Sequence, residues 1–308
     1  MIHTLGLSPS LDVVYEVESI RAGTIHRPRT VLRLAGGKSL NVSRALVRLG
    51  HRVRAIAPLG GRIGDLVADE LAGTGVDLVR VPSSVSTRMC VSAADESART
   101  LTEFYEHAAP ADGTELGPVA DALDEIRPGE WLALSGSVPP GTDLERLVAV
   151  LAACSARGVR LALDTHGPVL ARALERAGPA LLKVNRAEAA ELVGRGDADL
   201  TALGAEVRRR TDAVVVLTDG PAGATGWGAG EAWSVRTDVA PGGFPVGSGD
   251  CFLAGLVADL ADDVVWPQAL VSAAAVGAAN AAVPGGAIFA AEAVASMRAA
   301  TRLLQRSP

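Results

Sequence analysis

Phe244-Pro245-Val246-Gly247-Ser248-Gly249-Asp250-Cys251-Phe252-Leu253-Ala254-Gly255-Leu256 is the stretch on which the reading of this chain turns. A Gly-Ser-Gly turn runs directly into an apolar helical segment, with one carboxylate, Asp250, at the junction. Glycine permits a tight turn and leaves its amide uncovered by a side chain. The first amides of a helix have no intrahelical acceptor and stand at the positive end of its dipole. Gly247, Ser248 and Gly249 therefore suit an anionic group, such as a phosphoryl group in transfer. Asp250 lies beside that pocket, placed to take a proton from an attacking hydroxyl. A structural reading fits this stretch equally well: Asp250 caps the helix and the glycines only turn the chain.

The 308 residues around it suffice for one large α/β domain with a small appendage. Hydrophobic residues at 48% and charged residues at 21% fit a folded, water-soluble protein. The N-terminal residues lack the basic and apolar regions of a signal peptide, and no apolar run reaches membrane-span length. Cys90, Cys154 and Cys251 are odd in number and scattered, so neither a disulfide frame nor a zinc site is expected, and a cytoplasmic location follows. A net charge of −6 argues against a nucleic-acid surface. An acidic protein that binds anions must concentrate positive charge locally. Only two lysines occur, Lys38 and Lys183, and both fall in motifs bearing glycine or asparagine.

Along the chain, strands and helices alternate. Val53–Pro58, Trp131–Leu134, Val159–Leu163, Leu181–Asn185 and the apolar run Val214–Leu217 read as strands, the last buried on both faces. Helices follow them, and three helical segments are expected near 250–262, 267–282 and 290–305. This is a doubly wound, mainly parallel sheet with helices on both faces. Two β-rich excursions, 13–34 and 87–107, do not fit the winding and are read as one small sheet forming a lid over a single domain, 1–308. Polar clusters sit at the carboxyl ends of the strands, where open α/β sheets bind ligands.

Several local signals do not hold. Gly37-Lys38-Ser39 imitates a P-loop, but the earlier glycine it needs is Leu32. Gly247-Ser248-Gly249 lacks the third glycine of a dinucleotide fingerprint, where Phe252 stands. The five histidines have no metal-ligand spacing, and Ser135-Gly136-Ser137 is no nucleophile elbow.

Together, Ser8-Pro9-Ser10-Leu11-Asp12, Ala35-Gly36-Gly37-Lys38-Ser39-Leu40-Asn41-Val42, Thr87-Arg88, Ser135-Gly136-Ser137-Val138-Pro139-Pro140-Gly141, Lys183-Val184-Asn185-Arg186-Ala187-Glu188, Thr218-Asp219-Gly220 with Gly223, the Gly247–Asp250 turn and Ala278-Ala279-Asn280 form a longer pattern. With it the chain resembles the ribokinase-like sugar kinases of the PfkB family. Its Gly-Gly-Lys form is similar to the branch of 1-phosphofructokinase and tagatose-6-phosphate kinase. The resemblance implies Asp250 as catalytic base, with the amides of Gly247, Ser248 and Gly249 as its anion hole. It implies Asp12, Gly36, Gly37, Asn41 and Ser137 on the sugar side, and Lys38 and Arg88 on a phosphate already carried by the substrate. Lys183, Asn185, Thr218, Gly220, Gly223, Gly249 and Asn280 would line the ATP site. Asn185 and Glu188 would organise Mg²⁺, largely through water. A homodimer through the lid is implied, with no nucleic-acid or membrane partner.

Four departures accompany the match. Ser8, Ser39 and Val184 replace the branch's usual asparagine, glycine and proline, with Ser8 and Ser39 expected to touch the sugar. Phe244-Pro245 replaces an acidic-threonine pair, so the resemblance does not carry potassium activation to this chain. The expected activity is ATP-dependent phosphorylation of a ketohexose phosphate. Fructose 1-phosphate leads, followed by tagatose 6-phosphate and fructose 6-phosphate. A kinase of an unphosphorylated sugar or nucleoside, and a non-catalytic regulator binding nucleotide and sugar phosphate, are the alternatives.

Overall fold

The computed structural model describes residues 1–196 and 198–306. Its strands are β1 (Ile2–Leu5), β2 (Ser10–Val17), β3 (Thr30–Gly36), β4 (Val53–Leu59), β5 (Val76–Pro82), β6 (Arg88–Asp95), β7 (Thr100–Tyr105), β8 (Trp131–Ser135), β9 (Arg160–Asp164), β10 (Leu181–Asn185), β11 (Val214–Thr218), β12 (Ala224–Gly228), β13 (Glu231–Thr237) and β14 (Thr301–Arg306). Its helices are α1 (Lys38–Arg48), α2 (Gly61–Leu71), α3 (Leu116–Asp124), α4 (Leu144–Ala156), α5 (Pro168–Arg176), α6 (Arg186–Val193), α7 (Leu200–Arg208), α8 (Ser248–Ala261), α9 (Trp266–Ala281) and α10 (Ala291–Ala299).

Ten strands form one sheet in the order β14-β13-β12-β11-β10-β9-β8-β1-β4-β5. From β5 across to β11 every pairing is parallel. Alternate residues of these strands feed two cores. Leu5, Leu134, Leu163, Val184 and Leu217 face one cluster with α3, α4 and α5, and Ile2, Ala133, Ala162, Leu181 and Val216 face another with α1, α8 and α9. Full burial of one such leucine stabilises by about 1.5–3 kcal/mol, so both faces must stay covered. Strand order reverses between β1 and β8, and a crevice opens at the carboxyl ends beside that switch.

The other four strands make a separate sheet in the order β3-β2-β6-β7. Leu11, Val13, Met89 and Val91 turn one face of it onto Ile63, Val67 and Leu71 of α2. The opposite face, bearing Ser10, Asp12, Arg88 and Cys90, overlooks the crevice. Residues 18–29, between β2 and β3, are turns and bends without strand structure.

The C-terminal end departs from the expected helix over 290–305. The helix stops at Ala299, and Thr301–Arg306 pairs antiparallel with β13 as the sheet's last strand. Leu303 packs on the core while Leu304 is exposed, the alternation of an edge strand. The β12–β13 hairpin is also absent from the sequence reading. Its turn, Ala229-Gly230, holds both residues at positive φ, 50° and 79°, as a two-residue hairpin requires.

Candidate active site

The turn before α8 is built from glycine for a steric reason. Gly247 has φ 76°, and a Cβ there would lie 2.8 Å from Gly286 Cα. Asn280 braces the turn from behind. It is fully buried and donates through Nδ2 to Val246 O (2.8 Å) and Ser248 Oγ (3.2 Å), while its Oδ1 accepts from the Ala287 amide (2.7 Å). Asn280 therefore supports the turn and does not line the crevice, unlike its expected place in the ATP site. The Ser248 amide likewise donates inside the turn, to Pro245 O (3.0 Å), and not into the anion pocket.

Asp250 lies in the first turn of α8 and is 6% exposed. Burial pushes its carboxyl up to about 6, with nearby Asp164 adding to the rise; Lys38, a hydrogen bond from Asn41 and Lys183 oppose it. That bond runs from Asn41 Nδ2 to Asp250 Oδ2 at 2.8 Å. A carboxylate tuned to this range is ionised at neutral pH yet basic enough to accept a proton.

The residues expected on the sugar side are set by strand register. Asp12, Cys90 and Tyr105 align across β2, β6 and β7, and Gly36, Ser10 and Arg88 form the next row. A Cβ on Gly36 would overlap the Asp12 carboxylate, so this glycine makes room for Asp12 and is not itself on the crevice wall. Burial raises the Asp12 carboxyl, against a bond from Ser10 Oγ (2.6 Å) and the charge of Arg44. Arg88 donates from Nη1 to Glu106 O (3.1 Å), while its buried Nε and the neighbouring Ser8 Oγ have no hydrogen-bond partner. Ser39 corrects an expectation. It is buried in α1 against Gly6, whose missing Cβ its Oγ replaces, and it does not reach the sugar side; Ser8 does line the crevice.

Between the two halves sits a charge cluster that the sequence reading did not assemble. Asp164, fully buried at the end of β9, receives Lys38 Nζ at Oδ1 (3.3 Å) and Lys183 Nζ at Oδ2 (3.0 Å). Burial alone would raise its carboxyl, but the two lysines hold it below the usual carboxylate range. Lys38 also pairs with Glu188 Oε1 (3.1 Å). Burial weakens its charge, yet Asp164, Asp250 and Glu188 together hold its ammonium above the ordinary lysine value. Glu188 Oε2 accepts the Asn185 amide (2.8 Å) and Asn185 Oδ1 accepts the Glu188 amide (2.9 Å), a reciprocal cap on α6. Asp164 ends β9, and a carboxylate at the carboxyl end of a parallel strand is the sequence signal that points to it.

The crevice has a volume of about 670 Å³. Its walls bring together Asp12, Gly37, Lys38, Asn41, Arg88 and Ser137, expected on the sugar side, with Lys183, Asn185, Thr218, Gly220 and Gly223, expected on the nucleotide side, and Gly247, Ser248, Gly249 and Asp250. A Cβ on Gly223 would overlap Val235 O, so the backbone there packs directly on β13.

The profile of the pfkB family carbohydrate kinases matches residues 2–293. The chain belongs to that family. Among curated proteins, ATP-dependent 6-phosphofructokinase isozyme 2 of Escherichia coli K12 is 29% identical over 286 residues, which are 90% of this chain and 91% of that protein. A crystal structure of phosphofructokinase-2 from Escherichia coli in complex with substrates and products superposes with a TM-score of 0.89 at 27% identity, covering 97% of this chain and 98% of that one. A possible 1-phosphofructokinase from Thermotoga maritima, 20% identical over 99% of both chains with a TM-score of 0.85, shares the fold. This pfkB protein is thus a kinase of sugars or phosphosugars, of a family that moves a phosphoryl group from ATP to a hydroxyl. Among its described residues no helix is long and apolar enough to cross a membrane.

Proposed function

We propose that this kinase phosphorylates a ketohexose phosphate, fructose 1-phosphate before fructose 6-phosphate or tagatose 6-phosphate, with Asp250 as the general base. The observation that carries the reading is the Asp250 carboxylate, held by Asn41 beside the N-terminus of α8 on the crevice wall. The acceptor sugar sits between Asp12 and Asp250. Its hydroxyl gives its proton to Asp250 as the oxygen attacks the terminal phosphoryl group in line. The crevice-lining turn at Gly247 and Gly249 and the positive end of α8 face the charge that develops.

Arg88 supports the phosphorylated substrate, because it lines the crevice together with Ser8 and its guanidinium is a charge suited to phosphate oxygens. Lys38, already shared by two carboxylates, supports it less directly. Its place in the Gly-Gly-Lys motif is what favours fructose 1-phosphate; the 6-phosphofructokinase named above makes fructose 6-phosphate the competitor.

Mg²⁺ fits beside the crevice by the chemistry of the donors around Lys38. Carboxylate oxygens of Asp164 and Glu188 converge where the Lys38 ammonium sits, so positive charge is accepted there. Among the described residues no group of three ligating side chains converges on one metal position, in keeping with a metal held through water and nucleotide phosphates by Glu188 and Asn185. When bound, the ion would offset phosphate charge. The chain is assigned to the cytoplasm on its three free, buried cysteines. A homodimer would cover Phe104 of β7 and Val31 of β3, which stand exposed on the small sheet. Single-turnover transfer from ATP to fructose 1-phosphate, fructose 6-phosphate, tagatose 6-phosphate and free fructose tests the reading. Fastest transfer to fructose 1-phosphate is expected, and equal transfer to free fructose would overturn it.

A further inference from the structure

Arg44 lies one turn beyond Asn41 on α1, 6% exposed, and it is not part of the crevice wall. Its Nη2 donates to Asn41 Oδ1 at 2.8 Å, and its Nε donates to Ala35 O at 3.0 Å. Ala35 pairs with Leu11 at the root of the small sheet. A buried guanidinium is expensive, and here burial lowers the Arg44 pKa to about 10 against the charges of Asp12, Cys251 and Asp250. A residue retained at that cost, tied to a group that touches the base, calls for an account.

A guanidinium only donates, whereas a side-chain amide presents an acceptor at one end and donors at the other. Whichever atom of Asn41 faces Arg44 must therefore be Oδ1. That leaves Nδ2 directed at Asp250 Oδ2, 2.8 Å away. Turned over, the same amide would aim a carbonyl at the carboxylate and offer it no donor. We propose that Arg44 is a positioning residue for phosphoryl transfer: it locks the Asn41 amide in the orientation that keeps a donor on Asp250. Because its other arm holds Ala35, the lock ties the base to the root of the small sheet.

The proposal rests on the reading of Asp250 as base. The charged and titratable groups facing Asp250 are Asp164 from β9, Lys183 from β10, Lys38 and Arg44 from α1, and its helix neighbour Cys251. The segments β8 and α9, also packed on α8, contain no titratable residue. Loss of the lock should thus register as a rise in the Asp250 midpoint. A hydrogen bond to the ionised carboxylate is worth enough to move it by about one pH unit or more.

The test is a titration of full-length protein labelled at aspartate carboxyl carbons, with the Asp250 signal assigned by its loss in Asp250→Asn. In Arg44→Met the midpoint should rise by about one unit, and in an Asn41→Ala background the same change should add less than about a third of a unit. An equal rise in both backgrounds would mean that Arg44 acts by charge alone, and no rise would mean no effect; either overturns the proposal. Should Arg44→Met fail to fold, Arg44→Gln keeps a long polar side chain but can present either an acceptor or a donor to Asn41, so it no longer fixes the amide. Its midpoint should rise in the parent and by less than about a third of a unit in the Asn41→Ala background, and an unchanged midpoint or an equal rise in both would overturn the proposal. In folded variants kcat/KM for the phosphosugar should drop about fivefold at pH 6 and less than about twofold at pH 8, with KM for ATP unmoved. A raised midpoint with an unmoved rate profile would support the positioning and remove Asp250 as base.

Discussion

Lys38, on the crevice wall, and Glu188, 150 residues further along the chain, meet with Nζ 3.1 Å from Oε1. The pair joins the start of α1, in the motif expected on the sugar side, to the first turn of α6, in the motif expected on the nucleotide side. A lysine expected on the substrate phosphate is therefore already shared with the opposite half of the site.

Lys38 and Arg88 should consequently behave differently when removed. Arg88→Ala should raise KM for the phosphosugar and leave KM for ATP nearly unchanged. Charge-assisted hydrogen bonds of about 1.5–3 kcal/mol each set the loss in kcat/KM at roughly ten- to a hundredfold. Lys38→Met should raise both KM values, because it also strips a cation from Asp164 and Glu188. Steady-state kinetics with each substrate varied would show the contrast, and identical patterns in the two variants would refute it.

Asp250→Asn should reduce kcat by a factor of roughly 10²–10⁴ while ATP binding, followed by calorimetry, persists. Asparagine can still accept the bond from Asn41 Nδ2, so the loss reflects proton acceptance and not a collapsed site. Activity within a few fold of the parent would take Asp250 out of the chemistry.

The same variant should be more heat-stable than the parent in neutral solution. Burial makes the Asp250 carboxyl bind its proton more tightly in the folded chain, with a pKa of about 6 against an ordinary 3.8. Its contribution to stability is thus complete below about pH 4 and lost as pH rises through about 6. An uncharged asparagine escapes that loss, which is worth about 1–3 kcal/mol above pH 7. Melting temperatures of the two proteins should separate by a few degrees at pH 8 and converge near pH 4. A constant difference across that range would contradict the assignment.

Gly247→Ala and Gly249→Ala separate shape from electrostatics at the turn. At Gly247 a methyl group meets both a left-handed backbone and Gly286 Cα at 2.8 Å, so a loss of about 1–2 kcal/mol or more in stability is expected alongside lost activity. At Gly249 the nearest atom is Lys183 Nζ, 3.1 Å away on a flexible stem, so stability should change little. Chemical denaturation measures both, and equal destabilisation would count against this view of the turn.

The parallel core was readable because burial leaves a direct trace: Val214–Leu217 is an unbroken apolar run, and such runs recur between helical stretches. The far edge left a weaker trace. Thr301–Arg306 carries no strand pattern strong enough to separate it from the preceding helix, and only pairing with β13 makes it a strand. At the site, the glycine turn, Asp250, Asp12 and Arg88 were legible from their motifs. Asp164 was not, since the lysines that give it meaning lie 126 and 19 residues away and meet it only after folding. Ser39 misled for the opposite reason. It sits inside a sugar-side motif, but the helical turn carries its side chain inward onto Gly6.

The position of β1 has a bearing on how this chain is made. Ile2–Leu5 is flanked in the finished sheet by Val53–Leu59 and Trp131–Ser135. During translation the segment leaves the ribosome well before its second neighbour exists, and at roughly 5–20 residues per second the wait lasts many seconds. Throughout that interval one hydrogen-bonding edge of a wholly buried strand is open to mispairing. Pauses in synthesis before Trp131 should therefore lower soluble yield more than pauses after Asp164, and added chaperone should narrow the difference.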